Sequence, residues 1–231
     1  MRAIIQKIIG GASLVIIFSI GLTFHALAQT SEPKILLTWR AESYTPPGFM
    51  GKILPGVGSR ITASLEIIEN GSPADISSDT VLWYLDRDLV GRGSGLKTIN
   101  FNAGDIAGGA HSLRIKIENY RGGDQTILKT INIPVAQPKI VLAAPFPNFE
   151  FSTPTIHIKA LPFFFAVTHL SDINFAWSVN GEQPVDSANP DILDISTAKV
   201  ARGSNLSINL AVQNPKNTLE SAIGTINLKY K

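Results

Sequence analysis

Three histidines lie in the body of the chain, His111, His157 and His169, and none is spaced to work with another. A zinc site or a paired base would want H-x-H or H-x-x-x-H spacing. A serine nucleophile would want a G-x-S-x-G elbow. Neither pattern occurs. Asp86, Asp88 and Asp105 could offer oxygens to calcium, but no D-x-D-x-D-G ladder orders them, and Arg87 and Arg92 stand among them. "GRGSG" from Gly91 is glycine-rich, yet no lysine follows it and no helix would aim its amides at a phosphate, so it reads as a turn. Cysteine is absent, which excludes disulfides, thiolate metal ligands and a lipid-modified cysteine. No catalytic, cofactor or metal residue is therefore expected.

The aromatic residues carry more. Trp83 and Trp177 stand mid-segment, in phase with Val81 and Leu85 and with Phe175 and Val179, which is core placement. Trp39 differs. It precedes "RAESYTPPGFMGKILPGVG", a long loop bearing Tyr44, Phe49 and Met50, and long loops in compact domains often carry function. Phe163, Phe164 and Phe165 are consecutive, so a strand through them would show rings on both faces and need a cover on the second. Trp39, Tyr44, Phe49, Phe163, Phe164 and Phe165 form the candidate partner surface. The cover is either the chain itself or another molecule.

The elements that would position these residues are short and alternating. "RITASLEII" puts Ile61, Ala63, Leu65 and Ile67 on one face, and "HSLRIKIE" sets Leu113, Ile115 and Ile117 against Arg114, Lys116 and Glu118. "KILLTWRA", "TVLWYLD", "LKTINF", "QTILKTINI", "KIVLAA", "TIHIKA", "FFFAVTHL", "INFAWSVN", "NLSINLAVQ" and "IGTINLKYK" follow the same period of two. This is the pattern of half-buried antiparallel strands. Turn signals separate them, with Asn70-Gly71 suited to a type I′ hairpin. "PVAQP", Pro134 to Pro138, reads as a fairly stiff linker or a strand crossing between domains.

The first residues belong to a different class. Arg2 and Lys7 precede an uncharged run from Ile8 to Ser31, and "ALA" ends at Ala28. That layout predicts a secretory signal cleaved between Ala28 and Gln29, or an uncleaved membrane anchor over residues 8–27. Export follows in either case, to the periplasm or the cell surface. The 20 basic residues include Arg2 and Lys7, so 18 basic and 18 acidic residues remain beyond position 28. A neutral exported part without a basic run gives no footprint for nucleic acid.

Spacings counted from the two tryptophans repeat. Val81 and Phe175 precede them by two, Phe101 and Ile195 follow by 18, and Gly109 and Gly203 follow by 26. The strands "LRIKI" and "INLAV" then match after one added residue, placed between the glycine and the strand. Such a run of matches implies an internal duplication.

"WYLDRDLVGRG…GGAHSLRIKI" and "WSVNGEQP…RGSNLSINLAV" resemble Ig-like and PKD-like β-sandwich modules, which recur in tandem in prokaryotic cell-surface proteins. The chain departs from antibody-type domains in lacking both cysteines, and from PKD repeats in lacking a "DFGDG"-like turn. The resemblance implies an all-β fold with antiparallel sandwiches over residues 31–135 and 139–231, after a signal or anchor over residues 1–28. It implies a non-enzymatic structural, adhesive or assembly component of the envelope that binds a protein or a surface glycan. The alternatives are a glycan-binding module working through Trp39, Tyr44 or Phe49, and a small hydrolase, which would need converging acids or a Ser–His pair.

Overall fold

The computed structural model describes residues 32–104, 107–183 and 189–231. The signal or anchor expected at residues 1–28, the cleavage expected between Ala28 and Gln29, and Asp105 lie outside the described residues. Among the described residues no helix is long and apolar enough to cross a membrane.

The alternating segments form strands in chain order. They are β1 (Lys34–Glu42), β2 (Arg60–Glu69), β3 (Ser72–Pro73), β4 (Thr80–Leu85), β5 (Asp88–Ser94), β6 (Thr98–Asn102), β7 (Ala110–Ile117) and β8 (Ile127–Pro134). A second set follows: β9 (Lys139–Ala143), β10 (Glu150–Phe151), β11 (Thr155–Phe163), β12 (Asn174–Val179), β13 (Ile192–Ser196), β14 (Asn205–Asn214) and β15 (Asn217–Tyr230). In the first set, β2 pairs β1 on one side and β3 and β6 on the other, facing a β5-β4-β7-β8 sheet. In the second set, β13-β11-β9 faces β10-β15-β14-β12. The pairings are antiparallel, apart from the short parallel contact of β10 with β15.

Each pair of sheets buries one set of alternating residues against the other. The first core joins Ile61, Ala63, Leu65 and Ile67 of β2 to Trp83 of β4 and Leu113, Ile115 and Ile117 of β7. The second joins Ile156 and Ile158 of β11 to Trp177 of β12 and Ile208, Leu210 and Val212 of β14. The fold is therefore all-β, built of antiparallel sandwiches in tandem. Among the described residues "PVAQP" is not a free tether: Val135 is buried, it exchanges backbone hydrogen bonds with Gly108 and Gly109, and Ala136 N donates to Pro55 O.

The two sandwiches repeat the same bonds. Trp83 Nε1 donates to Leu96 O at 2.9 Å, and Trp177 Nε1 donates to Pro190 O at 2.9 Å, each 13 residues on. Asp86 and Asn180 both take the left-handed conformation (φ 56 and 52) three residues after their tryptophan. Their side chains accept the Ser112 and Ser207 N–H, each at 2.9 Å. Gly108 N donates to Val135 O, and Gly203 N donates to Tyr230 O. Gly108 is thus the partner of Gly203, not Gly109 as the spacing suggests. The added residue of the second copy falls before the glycine rather than after it.

Two segments depart from the sequence reading. "GRGSG" is not a turn: Gly91 to Ser94 belong to β5, and the chain turns at Gly95 (φ 58). Gly91 faces the core, where a Cβ would lie 3.1 Å from Ile99 Cγ2 and 3.5 Å from Trp83 Cβ, so glycine lets β5 run against the tryptophan. "FFFAVTHL" is not a strand either: β11 ends at Phe163, and Phe164 turns left-handed (φ 63). Asn70 (φ 48) and Gly71 (φ 80) are both positive, as a type I′ turn requires.

Trp83 is fully buried and Trp177 nearly so, at 0% and 8% exposure. Trp83→Ala and Trp177→Ala are each expected to lower unfolding free energy by about 3–5 kcal/mol in urea titrations. A midpoint unchanged by either substitution would contradict the core placement.

Candidate functional site

The loop from Ser43 to Ser59 is held by its own polar groups. Gly56 N donates to Ser59 Oγ at 3.0 Å and lies 3.2 Å from Ser43 Oγ, and the two serine hydroxyls meet at 2.8 Å. Pro46, Pro55, Gly56 and Val57 are buried. So the loop is a folded clasp, and its target is the second sandwich. Tyr44 N donates to Phe165 O and Phe164 N donates to Tyr44 O, both at 2.8 Å. Phe49 meets Phe163 and Phe164 edge-on at 5.6 and 6.2 Å between ring centroids, a favoured aromatic geometry.

The three phenylalanines do three different things. Phe163 ends β11 with its ring on Phe49. Phe164 holds a backbone conformation that is strained for a bulky residue, at a cost of about 1–3 kcal/mol. Tyr44 O on one side and the Phe49 ring on the other hold it there. Phe165 is 0% exposed and lies in the second core, so it presents no side chain to a partner. The surface left at this joint is Phe49, Met50 and the half-exposed Phe163 and Phe164, with Met50 99% exposed. Trp39 lies apart from it, packed on the edge of the first core, with the Lys52 amine 4.0 Å over its ring.

Sequence reasoning missed the polar centre of the joint. Glu220 is 0% exposed. Its Oε1 accepts the Ala166 N–H at 2.8 Å and its Oε2 the Asn214 Nδ2–H at 2.7 Å. Burial pushes its carboxyl above the usual range, against the two donors, which favour the charged form. Gly56 touches the same spot from the first sandwich: a Cβ there would lie 2.2 Å from Phe164 O and 2.7 Å from Glu220 Oε1. A signal existed. Glu220 falls in phase with the inward residues Ile226 and Leu228 of β15, so alternation extended backward turns it inward.

Each histidine described lies beside an aspartate, which the spacing did not reveal. His111 Nδ1 is 2.9 Å from Asp86 Oδ2, His157 Nδ1 is 2.6 Å from Asp194 Oδ1, and His169 Nδ1 is 3.8 Å from Asp172 Oδ2. In the buried pair, His111 Nε2 also accepts the Gly104 N–H at 2.9 Å, so both ring nitrogens are committed and no basic nitrogen faces a substrate. Burial opposes the Asp86 charge, but the Ser112 N–H and His111 outweigh it and hold the carboxyl below its usual range. With one oxygen on Ser112 N and the other on His111, Asp86 serves the turn. His157 and Asp194 are an exposed cross-strand pair on β11 and β13, at the rim of a groove of 630 Å³ between β9, β11 and β13. The groove lining is mainly Leu142, Ala143, Ala144, Pro145, Ile158 and Ile192, with Lys159 beside His157, and it holds no serine. Among the described residues no three histidine, aspartate or glutamate side chains group to hold a metal.

These features define a cysteine-free protein of tandem Ig-like β-sandwiches joined by a folded clasp. No protein-family model matches the chain, and no curated protein matches it in sequence. Among solved structures it is similar to the three N-terminal domains of the highly immunogenic outer capsid protein of bacteriophage RB49, with 12% identity, a TM-score of 0.48, 86% of this chain covered and 59% of that one. It is similar to fibronectin(III)-like modules of Clostridium thermocellum CbhA, with 14% identity, a TM-score of 0.33, 84% of this chain covered and 95% of that one. It is also similar to the Bacteroides ovatus glucan-locus protein SGBP-B, solved with a mixed-linkage heptasaccharide, with 16% identity, a TM-score of 0.27, 87% of this chain covered and 47% of that one.

Two outcomes follow for the joint. Gly56→Ala has an acceptable backbone but no room, so it is expected to free the sandwiches from one another, read as independent alignment in residual dipolar couplings. Unchanged couplings would contradict the close approach. Glu220 binds its proton more tightly folded than unfolded, so its contribution is greatest at low pH. It is lost as pH rises from the ordinary glutamate value near 4.5 through the raised folded value. Glu220→Gln is expected to flatten that part of the stability–pH profile, and an identical slope in both proteins would exclude Glu220 as its source.

Proposed function

We propose that the chain is an exported, non-enzymatic component of the cell envelope. Its two sandwiches act as one structural, adhesive or assembly module, presenting a surface to an envelope protein or a surface glycan. The observation that carries the reading is the joint. A clasp held by its own buried hydrogen bonds leaves Phe49 and Met50 exposed beside Phe163 and Phe164. Aromatic and methionine side chains are enriched in interfaces, and an exposed group of them needs a partner. The apolar run behind Arg2 and Lys7 supports export.

The glycan alternative is weaker at Trp39, because Lys52 covers one ring face and the core edge takes part of the rest. Phe49 is the better platform, at 38% exposure. The hydrolase alternative has Asp–His pairs available, but His111 has no free nitrogen, and the groove that His157 lines beside Asp194 holds no serine.

The test is the location and intact mass of the protein in its own cells. A mass beginning at Gln29, or at Met1 in the membrane fraction, is expected. Recovery only from the cytoplasm would contradict export. Met50→Ser, at the 99% exposed residue of the joint, is expected to weaken retention of the protein on washed envelopes without shifting its urea midpoint, and full retention would move the partner surface elsewhere.

A further inference from the structure

The outward face of the β5-β4-β7-β8 sheet has a different chemistry from its counterpart in the second sandwich. Pairing sets Arg92 beside Leu82, Leu82 beside Lys116, and Lys116 beside Leu128 in one row. The next row is Tyr84, Arg114 and Thr130. Strands lie about 4.8 Å apart, so Arg92 and Lys116, two strands apart, are separated by about 10 Å at the backbone. Arg114 fills the next row with its guanidinium 4.7 Å over the Tyr84 ring. Glu118 lies beside them, paired with Lys116 and felt by Arg92. Among the described residues neither the Arg92 nor the Arg114 guanidinium donates a hydrogen bond to a carboxylate or carbonyl.

The second sandwich shows what the same scaffold does without these residues. Its matching rows are Ala176, Ala211 and Ile223, then Ser178, Asn209 and Thr225. Thr130 and Thr225 occupy equivalent places, as do Ser112 and Ser207. Tyr84, Arg114 and Lys116 stand where the second copy has Ser178, Asn209 and Ala211. The fold therefore does not require the cations. Three positive groups on one outward face, with Glu118 paired to Lys116, leave a net attraction for anions among the described residues.

We propose that this face binds an anionic polysaccharide, one carrying carboxylate or sulfate groups. A stacked guanidinium keeps its fork of donors for such a group, and Thr130 in its own row with Ser112 and Asn132 in the next offer neutral polar groups for hydroxyls. The geometry disfavours the other polyanions. The Tyr84 ring is already covered by Arg114, so it is not an open platform for a nucleobase. β4 and β7 are interior strands, so an acidic peptide cannot add to them as a further strand. The face is on the sheet of the first sandwich and does not depend on the joint as partner surface.

The purified full chain is titrated onto immobilised heparin, onto polygalacturonate and onto an oligo(dT) strand. Binding to at least one glycan is expected, weakening about tenfold or more between about 50 and about 200 mM salt, with heparin or polygalacturonate marking sulfate or carboxylate as the preferred group. Arg114→Asn with Lys116→Ala, the residues the second sandwich already carries, is expected to lower affinity about tenfold and the salt slope by about two. Glu118→Gln is expected to strengthen binding, a gain that misfolding does not produce. Absence of glycan binding, unchanged affinity in the double variant, no gain in Glu118→Gln, or preference for oligo(dT) would each overturn the proposal.

Discussion

A buried indole must place its N–H on an acceptor, and in both sandwiches that acceptor is the backbone carbonyl 13 residues on. This one requirement organises the molecule. It turns Trp83 and Trp177 inward, fixes the phase of β4 and β12, and draws the following segment across the ring. The left-handed Asp86 and Asn180 then carry the chain toward the next strand, each tied to a serine N–H there. With the core so specified, the outward positions of the same strands carry no packing duty. They hold Tyr84, Arg114 and Lys116 in one copy and Ser178, Asn209 and Ala211 in the other. A shared interior and divergent exteriors are what a repeated scaffold with separate surface roles would show.

The second constraint is spatial. At Gly56 two chain segments approach more closely than any Cβ allows, and a buried carboxyl shares the space. The Ser43–Ser59–Gly56 hydrogen bonds hold the clasp in the shape that this contact needs. It also explains why Phe164 tolerates a left-handed backbone: its N–H is held by Tyr44, and the Phe49 ring lies against its own. The clasp is the longer of the two equivalent connections. β1 to β2 spans Ser43 to Ser59, whereas β9 to β11 spans Ala144 to Pro154 and includes β10.

Much of the architecture was legible because period-two alternation reports a face, and faces specify sheets. Ile61 to Ile67 and Leu113 to Ile117 are examples where the strand, its inward side and its core partners all follow from pattern. The failures came where local sequence argued one way and tertiary contact another. "GRGSG" looks like a turn because glycine favours turns, yet its first glycine, Gly91, lies in β5 where a Cβ would crowd Ile99. "FFFAV" looks like a strand because aromatics favour strands, yet the clasp turns the chain at Phe164. The aromatic candidates Tyr44, Phe49, Phe163 and Phe164 were visible as residues. That they meet one another was not, since it depends on a contact between segments more than a hundred residues apart. The His–Asp pairs were hidden for the same reason: His157 meets Asp194 only through the β11–β13 register.

The clasp makes the two sandwiches one body. The most direct measurement is a set of residual dipolar couplings on the intact chain in two alignment media. A single alignment tensor, fitting the β2 and β7 amides together with those of β11 and β14 in both media, is the result this account predicts. Two tensors of different magnitude or orientation would show the sandwiches moving independently and would contradict it.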